Sequence, residues 1–148
     1  MTTKKDKQLE WSSFEKGVFL VSTLGIIFDT KTRKILIGRR ESDPHIEKLR
    51  WCFPGGTPPY EEDLEESLEK SIKEKTGLNV KNLGCVFSRI FEEKRSFLLM
   101  YYLCEVIDGK EKPAKDLVEL KWVDPEELEG YFTTSFDPRL KEYILGLK

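Results

Sequence analysis

Along the chain, apolar residues gather in short runs separated by clusters of charge, and the period of each run predicts an element. Gly17 to Asp29 is rich in Val, Ile, Phe and Thr, the composition of a long strand. Asp29–Thr30–Lys31–Thr32–Arg33 supplies turn residues and Lys34 to Arg39 a second strand, so a hairpin is predicted. A polar loop from Arg40 to Arg50 precedes the short apolar run Trp51–Cys52–Phe53, which Pro54–Gly55–Gly56 and Pro58–Pro59 stop. Glu61 to Thr76 has the clearest helical period: Leu64, Leu68 and Ile72 share a face, and Gly77 is placed to end it as a left-handed cap.

Val80 to Phe91 and Ser96 to Ile107 read as strands joined by the charged turn Glu92–Glu93–Lys94–Arg95. A loop from Asp108 to Leu117 leads to a strand at Val118 to Val123. Two short helices close the chain. Asp124–Pro125 and Asp137–Pro138 each set an N-cap acid before a proline at the first helical position. Residues 1–13 are polar and Lys-rich, a tail whose end Trp11 and Phe14 dock, and residues 14–148 are expected to form a single domain.

Composition narrows the function. A chain of 148 residues buries one core, not two. With 25 Lys+Arg against 27 Asp+Glu, the net charge of -2 argues against a nucleic-acid polymer as partner, because such domains usually carry a basic excess. The longest mostly apolar stretch, Val18 to Phe28, is far short of the ~20 residues a membrane span needs, and Met1 to Glu10 lacks the apolar centre of a signal peptide. Cys52, Cys85 and Cys104 are odd in number and widely spaced, which suits thiols in a reducing cytoplasm. The single histidine, His45, sits in a polar loop and reads as a solvated surface residue.

Gly55–Gly56, followed by an acid-rich helix ending in Thr76–Gly77–Leu78, resembles the signature of the Nudix hydrolase superfamily, G-x5-E-x7-R-E-U-x-E-E-x-G-U with U aliphatic. Laid on Gly56 to Leu78 without gaps, the signature puts its first glycine on Gly56 and its first glutamate on Glu62. Lys70 falls on its arginine, Ser71 on the next glutamate and Ile72 on the aliphatic position. Glu74 and Lys75 fall on the paired glutamates. The likeness extends to Ile35–Leu36–Ile37–Gly38–Arg39–Arg40, to Trp51–Cys52–Phe53–Pro54–Gly55–Gly56 and to Glu119–Leu120–Lys121–Trp122–Val123.

The resemblance implies an α/β (α+β) fold, an α/β/α sandwich with a mixed sheet. It implies hydrolysis of a nucleoside diphosphate linked to another group, with Mg²⁺ or Mn²⁺ as cofactor and a small-molecule nucleotide derivative as partner. Glu74 and Glu62 are the metal-ligand candidates, with Glu119 beside them as a catalytic carboxylate. Arg40, Gly55, Gly56, Lys70 and Lys75 are the phosphate-binding candidates. A nucleotide-sugar substrate and a homodimer stay open.

Three glutamates on one helix face make a hard oxygen site for a dication. Here the three positions hold Ser71, Glu74 and Lys75, whose charges sum to zero. The expectation is therefore a hydrolase with an impaired or altered metal site, or a catalytically inactive ligand-binding domain, or a scaffold without a ligand. Counted at ~100° per residue, Lys75 falls between Leu64 and Leu68, on the core-facing edge of the helix. Its ammonium then needs a carboxylate, and Glu62, Glu119, Glu92 and Glu93 are the candidates. Other readings of these residues are plainer. The seven acids between Glu61 and Glu74 also suit a solvated helix face. Glu62 suits a helix N-terminus, and Arg40 a strand end. Phe91, Tyr60 and Phe132 suit either packing or stacking on a base.

Overall fold

A computed structural model of the protein describes residues 17–41 and 49–147. His45, the N-terminal tail with Trp11 and Phe14, and most of the loop after Arg40 lie outside the described residues. The strands are β1 (Leu20–Phe28), β2 (Ile35–Arg39), β3 (Trp51–Cys52), β4 (Gly55–Gly56), β5 (Leu78–Ile90), β6 (Phe97–Gly109) and β7 (Glu119–Val123). The helices are α1 (Leu64–Thr76), α2 (Leu128–Tyr131) and α3 (Pro138–Leu145).

The seven strands form one mixed sheet in the order β3-β2-β1-β6-β5, with β4 paired to β1 and β7 to β2. The predicted hairpin is present, with Ile27 opposite Leu36 and Phe28 opposite Ile35. Its turn is held by Asp29, whose carboxylate accepts from Lys31 N at 2.9 Å and Thr32 Oγ1 at 3.1 Å. The second predicted hairpin, β5 with β6, is also present, with Ile90 opposite Leu98. The parallel pairing of β1 with β6 joins the two hairpins.

In β1 and β2 both faces are buried, so these strands read as continuous apolar runs rather than alternating ones. Ile26, Phe28, Ile35 and Ile37 pack on one face with Leu128, Leu140 and Ile144 from α2 and α3. Ile27 and Leu36 pack on the other with Leu68 and Ile72 of α1. The result is the expected sandwich of helix, mixed sheet and helix.

Two helix starts differ from the sequence expectation. α1 begins at Leu64, not Glu61, because Asp63 is still extended at φ -69°, ψ 150° and the Glu62 N–H turns back to Pro59 O. Asp124–Pro125 opens a turn, with Glu127 N donating to Asp124 O at 2.9 Å, and α2 starts only at Leu128. The other ends follow their local chemistry. Gly77 caps α1 at φ 79°, and the Asp137 carboxylate accepts from Arg139 N at 2.8 Å to cap α3. Among the described residues no helix is long and apolar enough to cross a membrane.

Candidate functional site

The last turns of α1 run past the two glycines of β4, and this crossing builds one end of a cleft. Gly55 lies so close to β1 that a Cβ there would stand 2.0 Å from the Thr23 carbonyl oxygen. Only glycine lets the backbone approach this closely. Thr23 Oγ1 donates to Gly56 O at 3.3 Å, and Gly25 N to Pro54 O at 2.8 Å, which fixes the turn against the sheet. The Gly55 carbonyl is thereby aimed at α1, where the Lys75 ammonium donates a hydrogen bond to it. Ser71 is on the same side: a Cβ on Gly56 would be 3.4 Å from Lys75 Nζ and 3.9 Å from Ser71 Oγ.

The carboxylate that meets Lys75 is Asp116, none of the four candidates read from the sequence. Lys75 Nζ lies 3.3 Å from Asp116 Oδ1 and 3.4 Å from Oδ2, and Arg40 Nη2 lies 3.0 Å from Oδ2. Asp116 was missed because it sits in the connection between β6 and β7, which shows no periodicity. Its position comes from helix-end chemistry instead. The orphan carbonyls of Lys75 and Thr76 at the end of α1 accept from Ala114 N at 3.0 Å and Lys112 N at 2.9 Å. Those two bonds dock the segment that carries Asp116 beside Lys75.

Arg40, Gly55, Gly56 and Lys75 line this cleft together with Asp116. The other candidates do not line it. Glu62 is bound to Lys70 at 2.5 Å, and that hydrogen bond with its attendant charge raises the lysine's pKa. Glu119, on β7, faces Arg39 at 2.8 Å. Glu74 is exposed on α1. Among the described residues no group of three or more His, Cys, Asp or Glu side chains is placed to share a metal ion.

The rest of the cleft is aromatic and ends in a polar network that no sequence motif announces. Phe53, Phe91 and Phe132 line its wall, with Phe53 and Phe132 ring centroids 5.2 Å apart, whereas Tyr60 is fully exposed elsewhere. At the far end Arg89 donates through Nε to Tyr101 Oη at 3.1 Å, through Nη1 to Ser135 Oγ at 3.0 Å and through Nη2 to Ser135 O at 3.0 Å. Ser135 in turn donates from N and Oγ to Glu93 at 2.5 and 2.6 Å. Burial works against the charged form of Glu93, but the two bonds from Ser135 prevail and hold its pKa below the usual carboxylate value. Burial raises the pKa of Tyr101 despite the nearby Arg89 cation.

Sandwich architecture, a glycine turn feeding an acid-rich helix, and a cleft between them define a class, and comparison with known proteins agrees. The chain belongs to the Nudix family: the NUDIX domain model matches residues 18–144. An ADP-ribose pyrophosphatase of Methanocaldococcus jannaschii is 34% identical over 113 residues, which is 73% of this chain and 63% of that protein. The chain thus spans less than two thirds of this relative's length. Two solved structures share the fold. A MutT protein from Methanosarcina mazei Go1 superposes with a TM-score of 0.66 at 18% identity, covering 89% of this chain and 94% of its own. A UDP-X diphosphatase gives 0.68 at 18% identity, covering 96% and 70%.

Proposed function

We propose that the cleft binds a small nucleoside diphosphate derivative and that metal-dependent hydrolysis in it is impaired. The observation behind this reading is the Lys75 ammonium, hydrogen-bonded to the Gly55 carbonyl and paired with Asp116. A dication at the same place would face a like charge at contact distance, worth about 2–8 kcal/mol of repulsion even at high effective dielectric. Among the described residues the positions read from the signature do not make up a ligand set: Glu62 is bound to Lys70, Glu119 faces Arg39, Glu74 is exposed, and Ser71 brings no carboxylate. These residues do not fit Mg²⁺ or Mn²⁺ held in the usual way of the signature helix. Ligand binding needs less. An apolar aromatic cleft with a few convergent charged groups is the ordinary make-up of a small-molecule site.

A second reading, turnover of a nucleoside diphosphate linked to another moiety, is favoured by the 34% identity to a protein named ADP-ribose pyrophosphatase. One experiment addresses both. Thermal shift with a panel of nucleoside diphosphates, ADP-ribose and nucleotide sugars is run beside an assay of product release with Mg²⁺ or Mn²⁺. A ligand of the native state raises the melting temperature. The proposal expects stabilisation by at least one diphosphate compound with little or no product. Rapid metal-dependent release supports the second reading, and absence of any shift across the panel contradicts the first.

A further inference from the structure

The far end of the cleft holds a buried hydroxyl whose hydrogen has no acceptor. A guanidinium has N–H donors and no acceptor, so in the 3.1 Å contact between Arg89 Nε and Tyr101 Oη the arginine donates and the tyrosine accepts. The Tyr101 O–H is left to donate, and among the described residues it meets no acceptor. Tyr101 is 2% exposed, and a tyrosine hydroxyl buried to this degree ordinarily has a partner for its hydrogen. Burial also keeps the phenol protonated at neutral pH. The guanidinium cannot swing away to release the oxygen, because Nη1 and Nη2 are each tied to Ser135 at 3.0 Å. Arg89 and Glu93 carry opposite charges and meet through Ser135, so this end of the cleft is neutral as a unit and suits an uncharged polar group.

We propose that Tyr101 is a specificity-determining donor that reads an oxo group on the base of the ligand, at the edge farthest from the sugar. The proposal rests on reading the cleft as a nucleotide-derivative site and assigns its far end. Arg89, Tyr101 and Ser135 line the same cleft as Phe53 and Phe132, so a flat ring lying along the aromatic wall carries its polar edge toward the hydroxyl. The donor is preorganised: Phe53 stands edge-on to the Tyr101 ring, with centroids 5.8 Å apart at 89°, and Phe87 packs beside it at 5.9 Å. An oxo oxygen accepts from this hydroxyl. An amino group at the same ring position sets donor against donor and leaves the tyrosine hydrogen unmet away from water, and that cost is what discriminates. Arg89 is a positioning residue here, since by occupying the oxygen it makes the hydrogen the group that seeks a partner.

The test is calorimetric titration of the full chain with two matched pairs, IDP against ADP and UDP against CDP, with and without Mg²⁺. Within each pair an oxo group replaces an amino group at the same ring position, and the pairs cover both base sizes. The oxo compound should bind about fivefold or more tightly than its amino partner, the scale of one buried hydrogen bond. Tyr101→Phe, which removes only the hydroxyl, should bring that ratio below about twofold. A role confined to holding the fold would weaken both members of a pair alike and leave the ratio unchanged. Circular dichroism melts establish that the variant folds. If Tyr101→Phe does not fold, Arg89→Gln carries the same expectation, because the freed hydroxyl can then accept from an amino group. Equal affinities within both pairs, tighter binding of the amino compounds, or a ratio indifferent to the substitution overturns the proposal. If the diphosphates bind without regard to the base, the cleft reading survives and the Tyr101 assignment does not. If none of the four binds under either condition, both fall.

Discussion

The Lys75 ammonium and the Gly55 carbonyl, twenty residues apart in sequence, meet in a hydrogen bond that is fixed from both sides. On the glycine side the backbone is pressed on β1. On the lysine side the residue's own carbonyl is anchored by Ala114 N at 3.0 Å, and its neighbours Ile72 and Thr76 are fully buried. The polar end of the cleft is therefore a product of backbone packing, and the first two predictions probe each side of it.

Gly55→Ala should destabilise the fold by about 2–4 kcal/mol, since the new Cβ meets the Thr23 carbonyl oxygen at 2.0 Å and a backbone shift is unavoidable. Urea denaturation of the purified variant measures this. A loss below about 1 kcal/mol on the same scale means that β4 does not press on β1 as described.

Ile72→Ala removes a fully buried side chain where α1 packs on the sheet, in contact with the cluster of Ile27, Leu36 and Leu68. A loss of about 2–5 kcal/mol is expected. Because Ile72 sits one turn before Thr76 and three residues before Lys75, affinity for a nucleoside diphosphate compound that stabilises the natural protein should fall along with stability. Stability that falls while affinity is kept shows instead that the end of α1 is positioned independently of its core contact.

Glu93→Gln tests the far end of the cleft. The glutamate's folded pKa lies below its ordinary 4.5, so it stabilises the fold above that value, and the contribution is lost as pH falls through the folded pKa. The residue is exposed, so screening limits the effect to about 0.5–1 kcal/mol. Melting curves of the two proteins should differ at pH 7 and draw together as the pH falls below 4.5 and through the folded pKa. A difference that persists unchanged at low pH shows that the glutamate's charge is not what tethers Ser135.

The thiols should react in a set order. Cys85 is exposed, whereas Cys104 is fully buried, and burial, helped by the Glu69 charge, pushes its pKa up to about 12. The thiolate is the nucleophile, so iodoacetamide at pH 8 should label Cys85 in the native protein and Cys104 only after unfolding. Peptide mass spectrometry reads the order directly.

Much of the architecture was legible because its signals are local. The spacing of Leu64, Leu68 and Ile72, the cap at Gly77 and the Asp137–Pro138 start each need only a few residues of sequence to be recognised. The start of α1 was read three residues early because Glu61 and Glu62 are good helix formers, while the turn after Pro58–Pro59 holds them out of the helix. At Asp124–Pro125 the same dipeptide pattern as at residue 137 gave only a turn, since two residues can open a helix or a turn equally well. The site was half legible. The glycine pair, Arg40 and Lys75 stood out from the signature frame and do line one cleft. Asp116 and Ser135 lie on connections, and long-range contacts alone place them, through Ala114 N on Lys75 O and through Arg89 and Glu93. The parallel pairing of β1 with β6 was equally silent, because no turn residue records it.

The central claim is that a lysine stands where a dication would act. Titration with Mn²⁺, followed by electron paramagnetic resonance, tests it on the natural chain and on the Ser71→Glu/Lys75→Glu double variant, whose positions 71, 74 and 75 then all carry carboxylates. The account predicts no tight Mn²⁺ binding by the natural protein at up to millimolar metal and clear binding by the double variant. Stoichiometric, sub-millimolar Mn²⁺ binding by the natural protein, with Lys75 in place, would contradict it.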